Sequence, residues 1–230
     1  MNYSTLGEAI AARRSSSRAI HFIEGENDER ALPFAQIYDR AIGLLHHFQE
    51  RGADAGSELV LLLDSNQQFV DSFWAGVLGN LILVPLAPGA TDKQRHKFFR
   101  VLRKLKRPHL CTDRKIFARL SAFAAEHGLT TELERIKPAT VFLDQIDDIS
   151  RPGRIHAARP DDIAFVQYSS GSTSEPKGVI LTHRNLTTNI EAIVRGIDLQ
   201  PSDSGLSWMP LTHDMGLIGF HLTPFLADVT

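Results

Sequence analysis

A single cysteine, Cys111, stands in 230 residues. One thiol closes no intramolecular disulfide, and nothing in its neighbours marks an activated thiolate. A disulfide-stapled secreted scaffold is thereby excluded, and a small buried residue in a reducing compartment is expected. Long apolar runs are missing as well. The longest, Leu59 to Leu63 and Leu81 to Ala87, are far too short to span a bilayer and have the length of buried strands. Arg13 and Arg14 have no apolar stretch behind them, so the N-terminus lacks the shape of a secretory signal. A soluble cytoplasmic protein is the expectation. Charge of one sign is absent too: 25 Lys and Arg face 27 Asp and Glu, a net −2. That balance gives no long-range attraction to nucleic acid or to an anionic membrane and leaves small molecules and proteins as partners. His46, His47 and the other histidines apart from His213 lack metal-ligand spacing with Cys or Asp and read as surface or packing residues. There is no internal repeat and no low-complexity segment.

What is present is a globular composition, 43% hydrophobic, enough for one large domain or two small ones. A Thr5-x-x-Glu8 capping box opens a helix near the N-terminus. Phe34, Ile37, Ala41, Leu44, Leu45 and Phe48 recur at helical spacing, and Gly52 follows as a stop. Leu59–Leu63 then predicts a strand, Gln68–Leu78 a helix with Phe69, Phe73 and Val77 inward, and Leu81–Leu86 a second strand. Further along, helices are expected over Asp92–Leu105 and Ile116–His127, and strands over Leu110–Thr112 and Thr140–Leu143. The alternation argues for an α/β fold, a mostly parallel sheet flanked by helices. Turn-forming residues from Asp147 to Asp162, with Pro152, Gly153 and Pro160, suggest a connection. The expected division is an N-terminal α/β subdomain over 1–150 and the start of a second over 151–230. In the latter, strands are expected at Ile163–Tyr168, Val179–Leu181 and Gly205–Met209, and a helix at Arg184–Val194.

The most informative segment lies between the first two of those strands. Ser169, Ser170, Gly171, Ser172, Thr173 and Ser174 are followed by Glu175, Pro176, Lys177 and Gly178. Successive small residues let backbone N–H groups converge as an anion nest, the hydroxyls add donors, and Lys177 adds a positive charge. Such a loop suits a polyphosphate, since each hydrogen bond to a charged partner contributes roughly 1.5–3 kcal/mol. The spacing approaches a Walker A loop, but Pro176 replaces its second glycine and Gly178 its magnesium-binding hydroxyl, which excludes that class. A Ser-rich solvated linker is the ordinary alternative.

The segment from Tyr168 to Gly178 closely resembles the signature loop of the acyl-adenylate-forming superfamily of acyl-CoA synthetases, luciferases and nonribosomal-peptide adenylation domains. Leu181-Thr182-His183-Arg184-Asn185-Leu186 and Asn189 resemble its continuation. Leu32-Pro33-Phe34 through Ala41, and Trp74-Ala75-Gly76-Val77-Leu78-Gly79 through Val84-Pro85-Leu86, resemble its earlier motifs. The run Ser207-Trp208-Met209-Pro210-Leu211-Thr212-His213-Asp214-Met215-Gly216 is most similar to the fatty acyl-AMP ligases and loading adenylation domains. Two positions depart from the pattern. Ser174 stands where much of the family has Gly, and Thr212 where the ligase branch usually has an aromatic residue.

The resemblance implies ATP-dependent activation of a carboxylic acid, a fatty acid above all, as acyl-AMP. Transfer to an acyl carrier protein's phosphopantetheine thiol would follow, with ATP and Mg2+ required. Lys177 and the hydroxyl loop would hold the phosphates, Lys177 and His213 would act at the reacting centre, and His213, Asp214, Met215 and Gly216 would shape the acyl pocket. By resemblance the family also uses a later Glu for magnesium, an Asp for the ribose and a Lys on a mobile C-terminal domain. None can be assigned here, so metal ligands stay unassigned and this chain alone is expected to be inactive. The alternatives are a non-catalytic nucleotide-binding or interaction fragment, an acyl-CoA synthetase and an amino-acid adenylation domain. The basic stretch Lys93, Arg95, Lys97, Arg100, Arg103, Lys104, Lys106 and Arg107 reads as a solvated helix face, with docking of an acidic carrier protein as the other reading.

Overall fold

A computed structural model describes residues 3–26, 28–169 and 175–230, with the backbone alone at Ser169. The chain opens with α1 (Leu6–Ala12), where Thr5 Oγ1 accepts from Glu8 N–H at 3.2 Å. The expected capping box is half formed, because the Glu8 carboxylate reaches back to the N–H of Ser4 rather than that of Thr5. An antiparallel ribbon of β1 (Ala19–Ile23) and β2 (Glu29–Pro33) follows. Pro33 ends the ribbon in extended conformation and leads into α2 (Phe34–Glu50), whose six periodic apolar residues are all buried.

The central sheet is built from β3 (Glu58–Leu61), β4 (Ile82–Pro85), β5 (Pro108–Thr112), β6 (Thr140–Phe142), β7 (Ile163–Ser169) and β8 (Lys177–Thr182), in the order β6-β5-β3-β4-β7-β8. The first five strands run parallel and β8 returns antiparallel at the edge. Helices α3 (Asn66–Leu78), α4 (Asp92–Leu102), α5 (Arg114–His127) and α6 (Thr130–Ile136) connect them. Because strands in such a sheet are buried on both faces, their side chains divide between two cores. Leu59, Leu61 and Leu83 face α1, α2 and α3, whereas Val60, Leu62 and Val84 face α4, α5 and α6. Each fully buried Leu or Phe there contributes roughly 1.5–3 kcal/mol. The α/β class is therefore as the residue pattern predicts.

Beyond the 147–162 connection, β7 joins the same sheet beside β4. Helix α7 (His183–Gly196) starts from a capping box formed by Thr182 and Asn185. The final apolar stretch is a π-helical segment, Met215–Leu222, followed by α8 (Thr223–Ala227); both pack their buried residues into the core shared with α3.

Three expectations need correction. Gly205–Met209 is not a strand: the segment is irregular, Leu206 is 73% and Trp208 90% exposed, and Gly205 N–H bonds to Thr230 O rather than to a ladder partner. The helix expected over Asp92–Leu105 ends at Leu102, where Arg103 caps it and a turn takes over. The ribbon β1–β2 and the short helix α6 were not anticipated.

Candidate phosphate and acyl-activation site

Strands β7 and β8 form a hairpin whose register sets Ser169 opposite Lys177, Tyr168 opposite Gly178 and Gln167 opposite Val179. The stretch Ser170, Gly171, Ser172, Thr173 and Ser174 lies outside the described residues. Its flanks are defined: Ser169 ends β7, Pro176 is buried, and Lys177 begins β8. Directly opposed residues of an antiparallel pair share a face, and residues two apart along a strand do as well. Lys177, Val179 and Gln167 therefore lie on one face of the hairpin, the face where Phe165 enters the core with α3. Gly178 lies on the other face. A Cβ there would come within 2.7 Å of Val166 Cγ1 and 3.1 Å of Tyr168 Cε1, so this glycine is required by close cross-strand packing.

The second half of the site reaches the hairpin through a side chain that residue types alone did not reveal. Gln167 Nε2 donates to the Thr212 carbonyl at 2.7 Å. That bond ties the segment 209–213 to β7 from the face that Gln167 shares with Lys177. The turn is closed further by His213 N–H on Pro210 O and by Leu217 N–H on His213 O. His213 Nδ1 sits 2.7 Å from Asp214 Oδ1, and the same carboxylate oxygen accepts from Met215 N–H at 2.8 Å, capping the π-helical segment. Both side chains are largely exposed. Met215 N–H also reaches His213 Nδ1 at 3.3 Å, and among the described residues Nε2 has no hydrogen-bond partner. Gly216 makes the geometry possible: a Cβ would lie 2.2 Å from Pro210 O and 2.9 Å from Met209 O, both backbone atoms.

On the opposite face, α4 presents Lys97 to the same hairpin. Lys97 Nζ donates to Tyr168 O at 2.7 Å, and burial pushes its pKa down. Lys104, in the turn after α4, pairs with Glu175 at 3.5 Å. Elsewhere along the stretch Arg95 bonds Asp92 and the Gly89 carbonyl, Arg103 bonds Glu132, and Arg107 bonds the Ala55 carbonyl. Lys93, Arg103, Lys104, Lys106 and Arg107 are exposed, as a solvated face requires, while Arg95 and Lys97 are partly buried against their own fold.

Among the described residues no group of three His, Cys, Asp or Glu side chains could hold a metal ion, so no magnesium ligand is assigned. Among them, too, no helix is long and apolar enough to cross a membrane.

Comparison with known proteins agrees with this architecture. A relative described as a putative acyl-CoA synthetase, from Caulobacter vibrioides, is 32% identical over all of this chain and 40% of its own length. A medium-chain-fatty-acid–[acyl-carrier-protein] ligase from Teredinibacter turnerae is 27% identical over 95% of this chain and 39% of its own. Among solved structures, the fatty acid AMP ligase from Legionella pneumophila superposes with a TM-score of 0.86 at 25% identity, covering 99% of this chain and 39% of that one. The chain therefore spans about two fifths of the length of the proteins it matches. The family model for AMP-binding enzymes matches residues 8–230, and the chain belongs to that family.

Proposed function

We propose that this chain is part of an enzyme that uses ATP and Mg2+ to activate a fatty acid as its acyl-AMP and then passes the acyl group to the phosphopantetheine thiol of a carrier protein. The observation that carries the reading is the hairpin at the carboxyl end of a parallel sheet, where Lys177 opposes Ser169 and Gln167, on the same face, holds the Thr212 carbonyl next to His213. Open α/β sheets bind ligands beyond the carboxyl ends of their strands. The relatives' own descriptions, as fatty-acid ligases acting with AMP or with a carrier protein, support the choice of acid and acceptor.

In this reading a carboxylate oxygen attacks the α-phosphorus of ATP. A new P–O bond forms, the bond to the bridging oxygen breaks, and pyrophosphate leaves with the electron pair. Two anions must meet, and magnesium supplies charge neutralisation when bound. Lys177 and the residues Ser169, Ser170, Gly171, Ser172, Thr173 and Ser174 bind and orient the phosphates, so that the leaving group departs in line. Gly178 keeps β8 tight against β7, fixing where Lys177 starts. Asp214 orients the His213 imidazole, and His213 Nε2 faces the carboxylate and α-phosphate as they approach. Met215 and Gly216 form part of the acyl-pocket wall. The buried Cys111 thiol suits a reducing, cytoplasmic setting.

The test is carboxylate-dependent ATP–pyrophosphate exchange by the uninterrupted gene product, across fatty, aromatic and amino acids. Exchange with fatty acids is expected, falling by at least about 100-fold in Lys177→Ala, the scale of losing one transition-state donor. Absence of exchange with every acid, in a folded protein that binds nucleotide, would leave a binding module instead. The Caulobacter relative favours a second acceptor, coenzyme A. Supplying coenzyme A or a pantetheinylated carrier protein to the preformed acyl-AMP decides between them.

A further inference from the structure

We propose that His96 of α4 and His127 of α5 together form a metal site at the surface, taking a divalent late first-row cation, zinc or copper, between the two helices. The site uses no residue of the β7–β8 hairpin and does not rest on the function proposed above. The two rings meet because α4 and α5 pack against one another. Their centres lie 5.0 Å apart, with the ring planes at 90°. Two imidazoles on one tetrahedral zinc, each with a Zn–N bond of about 2.0–2.1 Å, place their ring centres about 5 Å apart. His127 is exposed and His96 half-buried, so a cation can reach both from solvent.

Hydrogen bonding prepares the pair for that role. His127 Nδ1 lies 2.9 Å from the Phe123 carbonyl. A carbonyl only accepts, so Nδ1 carries the proton and the lone pair of the neutral ring is on Nε2. Metal-binding histidines are held in this way, one ring nitrogen donating to a backbone carbonyl or carboxylate while the other ligates. Phe123 fixes the orientation of the same ring, stacked on it at 4.0 Å and 23°. His96 stands edge-on to Phe123 at 4.8 Å, and among the described residues neither of its nitrogens has a hydrogen-bond partner. Arg95, whose guanidinium lies 5.6 Å from the Phe123 ring centre, is paired with Asp92 at 2.7 Å, so its charge is met locally. Among the described residues no third His, Cys, Asp or Glu completes a cluster, and water fills the remaining positions. Imidazole suits zinc and copper, whereas magnesium takes oxygen ligands, so the pair is not a site for the magnesium of the proposed reaction.

The test is equilibrium dialysis of Zn2+ and of Cu2+ against the uninterrupted gene product in excess Mg2+, with His96→Gln and His127→Gln alongside. Sites elsewhere are common to all three proteins and cancel in the comparison. Removing even a group that supports a metal ligand weakens binding by about 10–100-fold, so removing a ligand should cost at least that. The parent should therefore hold one equivalent more than either variant at a metal concentration that fills its site. If all three proteins bind the same number of equivalents with the same affinity, the two rings are a packing pair and the inference fails. If only one of the substitutions costs binding, the other histidine is not a ligand and the inference fails as well. Should a glutamine variant lose its fold, His96→Phe takes its place, since it keeps an aromatic ring beside Phe123 without a ligating nitrogen. An equivalent lost in His96→Phe supports the site, and one retained overturns it.

Discussion

Replacing Gly216 with alanine adds one methyl group to a place where two backbone segments already touch. The new Cβ would lie 2.2 Å from Pro210 O, 2.8 Å from Pro210 C and 2.9 Å from Met209 O. No side-chain rotation relieves a clash with backbone, so either the π-helical segment or the 209–213 turn must move by about 1 Å. Overpacking of this kind costs about 1–3 kcal/mol. For a chain of this size each kcal/mol lowers the melting temperature by roughly 2–4 °C. The turn that would move carries Thr212 and His213, so the Gln167–Thr212 bond should break with it. Two sister substitutions isolate the cause. At Gly219 the added Cβ meets only Met215, a flexible thioether at 3.0 Å, and at Gly196 it meets nothing within 4 Å. Both replace a helical glycine, so alanine there should be neutral or stabilise by roughly 0.5–1 kcal/mol. Thermal melts of the three variants, followed by near-ultraviolet circular dichroism for Trp74 and Trp208, give the readout. A Gly216→Ala chain melting within 1 °C of its parent would refute the close approach on which the site geometry depends.

The fold should also be sensitive to acid. Burial holds the pKa of His183 and of His221 down at about 4, against an ordinary 6.5. Their lone pairs accept from Leu6 N–H and from Trp74 Nε1–H. Above pH ~6.5 neither state binds the protons; between there and about 4 only the unfolded chain takes them up. Stability should therefore be flat at neutral pH and fall by about 3 kcal/mol per histidine as pH drops through that window. Urea melts at pH 7 and pH 4.5 should show a smaller fall for His221→Gln than for its parent, and identical falls would sink the assignment. Cys111, buried and with its pKa pushed up to about 12 by burial, should resist an aromatic disulfide reagent at pH 8 until the chain unfolds; immediate reaction in the native protein would contradict its placement. Arg40 forms a bidentate pair with Asp71, whose side chain is 6% exposed and whose pKa burial raises. Arg40→Leu alone should cost about 3–5 kcal/mol, and Arg40→Leu with Asp71→Leu considerably less, since the penalty comes from stranding one charge; equal losses in urea titrations would argue against it.

How far the sequence could be read followed from how locally each feature is determined. β3 and β4 stood out because burial on both faces produces unbroken apolar runs, and α2 because its inward face repeats at helical spacing. The ribbon β1–β2 offers no such signal: Phe22 and Leu32 are its only buried residues. Helix α6 has seven residues, with only Leu133 and Ile136 buried, too few to establish a period. Gly205–Met209 misled in the opposite sense. Leu206 and Trp208 alternate as in a strand, yet both point to solvent. At the candidate site, Lys177, Gly178, His213 and Gly216 were named from motifs that resemble the family's, and their roles are proposals. Gln167 and Lys97 were not, because each acquires its role from a partner 45 or 71 residues away.

Why the site falls at this point of the fold follows from the lengths of neighbouring strands. Leu83 of β4 lies level with Phe165 of β7, so β4, which ends at Pro85, reaches no further than Gln167. Tyr168 and Ser169 run on past it, paired with β8 alone. A strand that outruns its parallel neighbour loses ladder partners on one side, and buried carbonyls must find others. Here the Tyr168 carbonyl takes Lys97 from one face of the sheet, while the Gln167 side chain holds the His213 turn on the other. The same overhang thus draws residues from both layers to the end of β7, where the hydroxyl-rich stretch begins. Shortening β7 by deleting Val166 would turn the strand residues on one side of the deletion to the opposite face relative to those on the other, so Gln167 could no longer share a face with Phe165, and the Gln167–Thr212 bond that holds the His213 turn should be lost even in a chain that still folds.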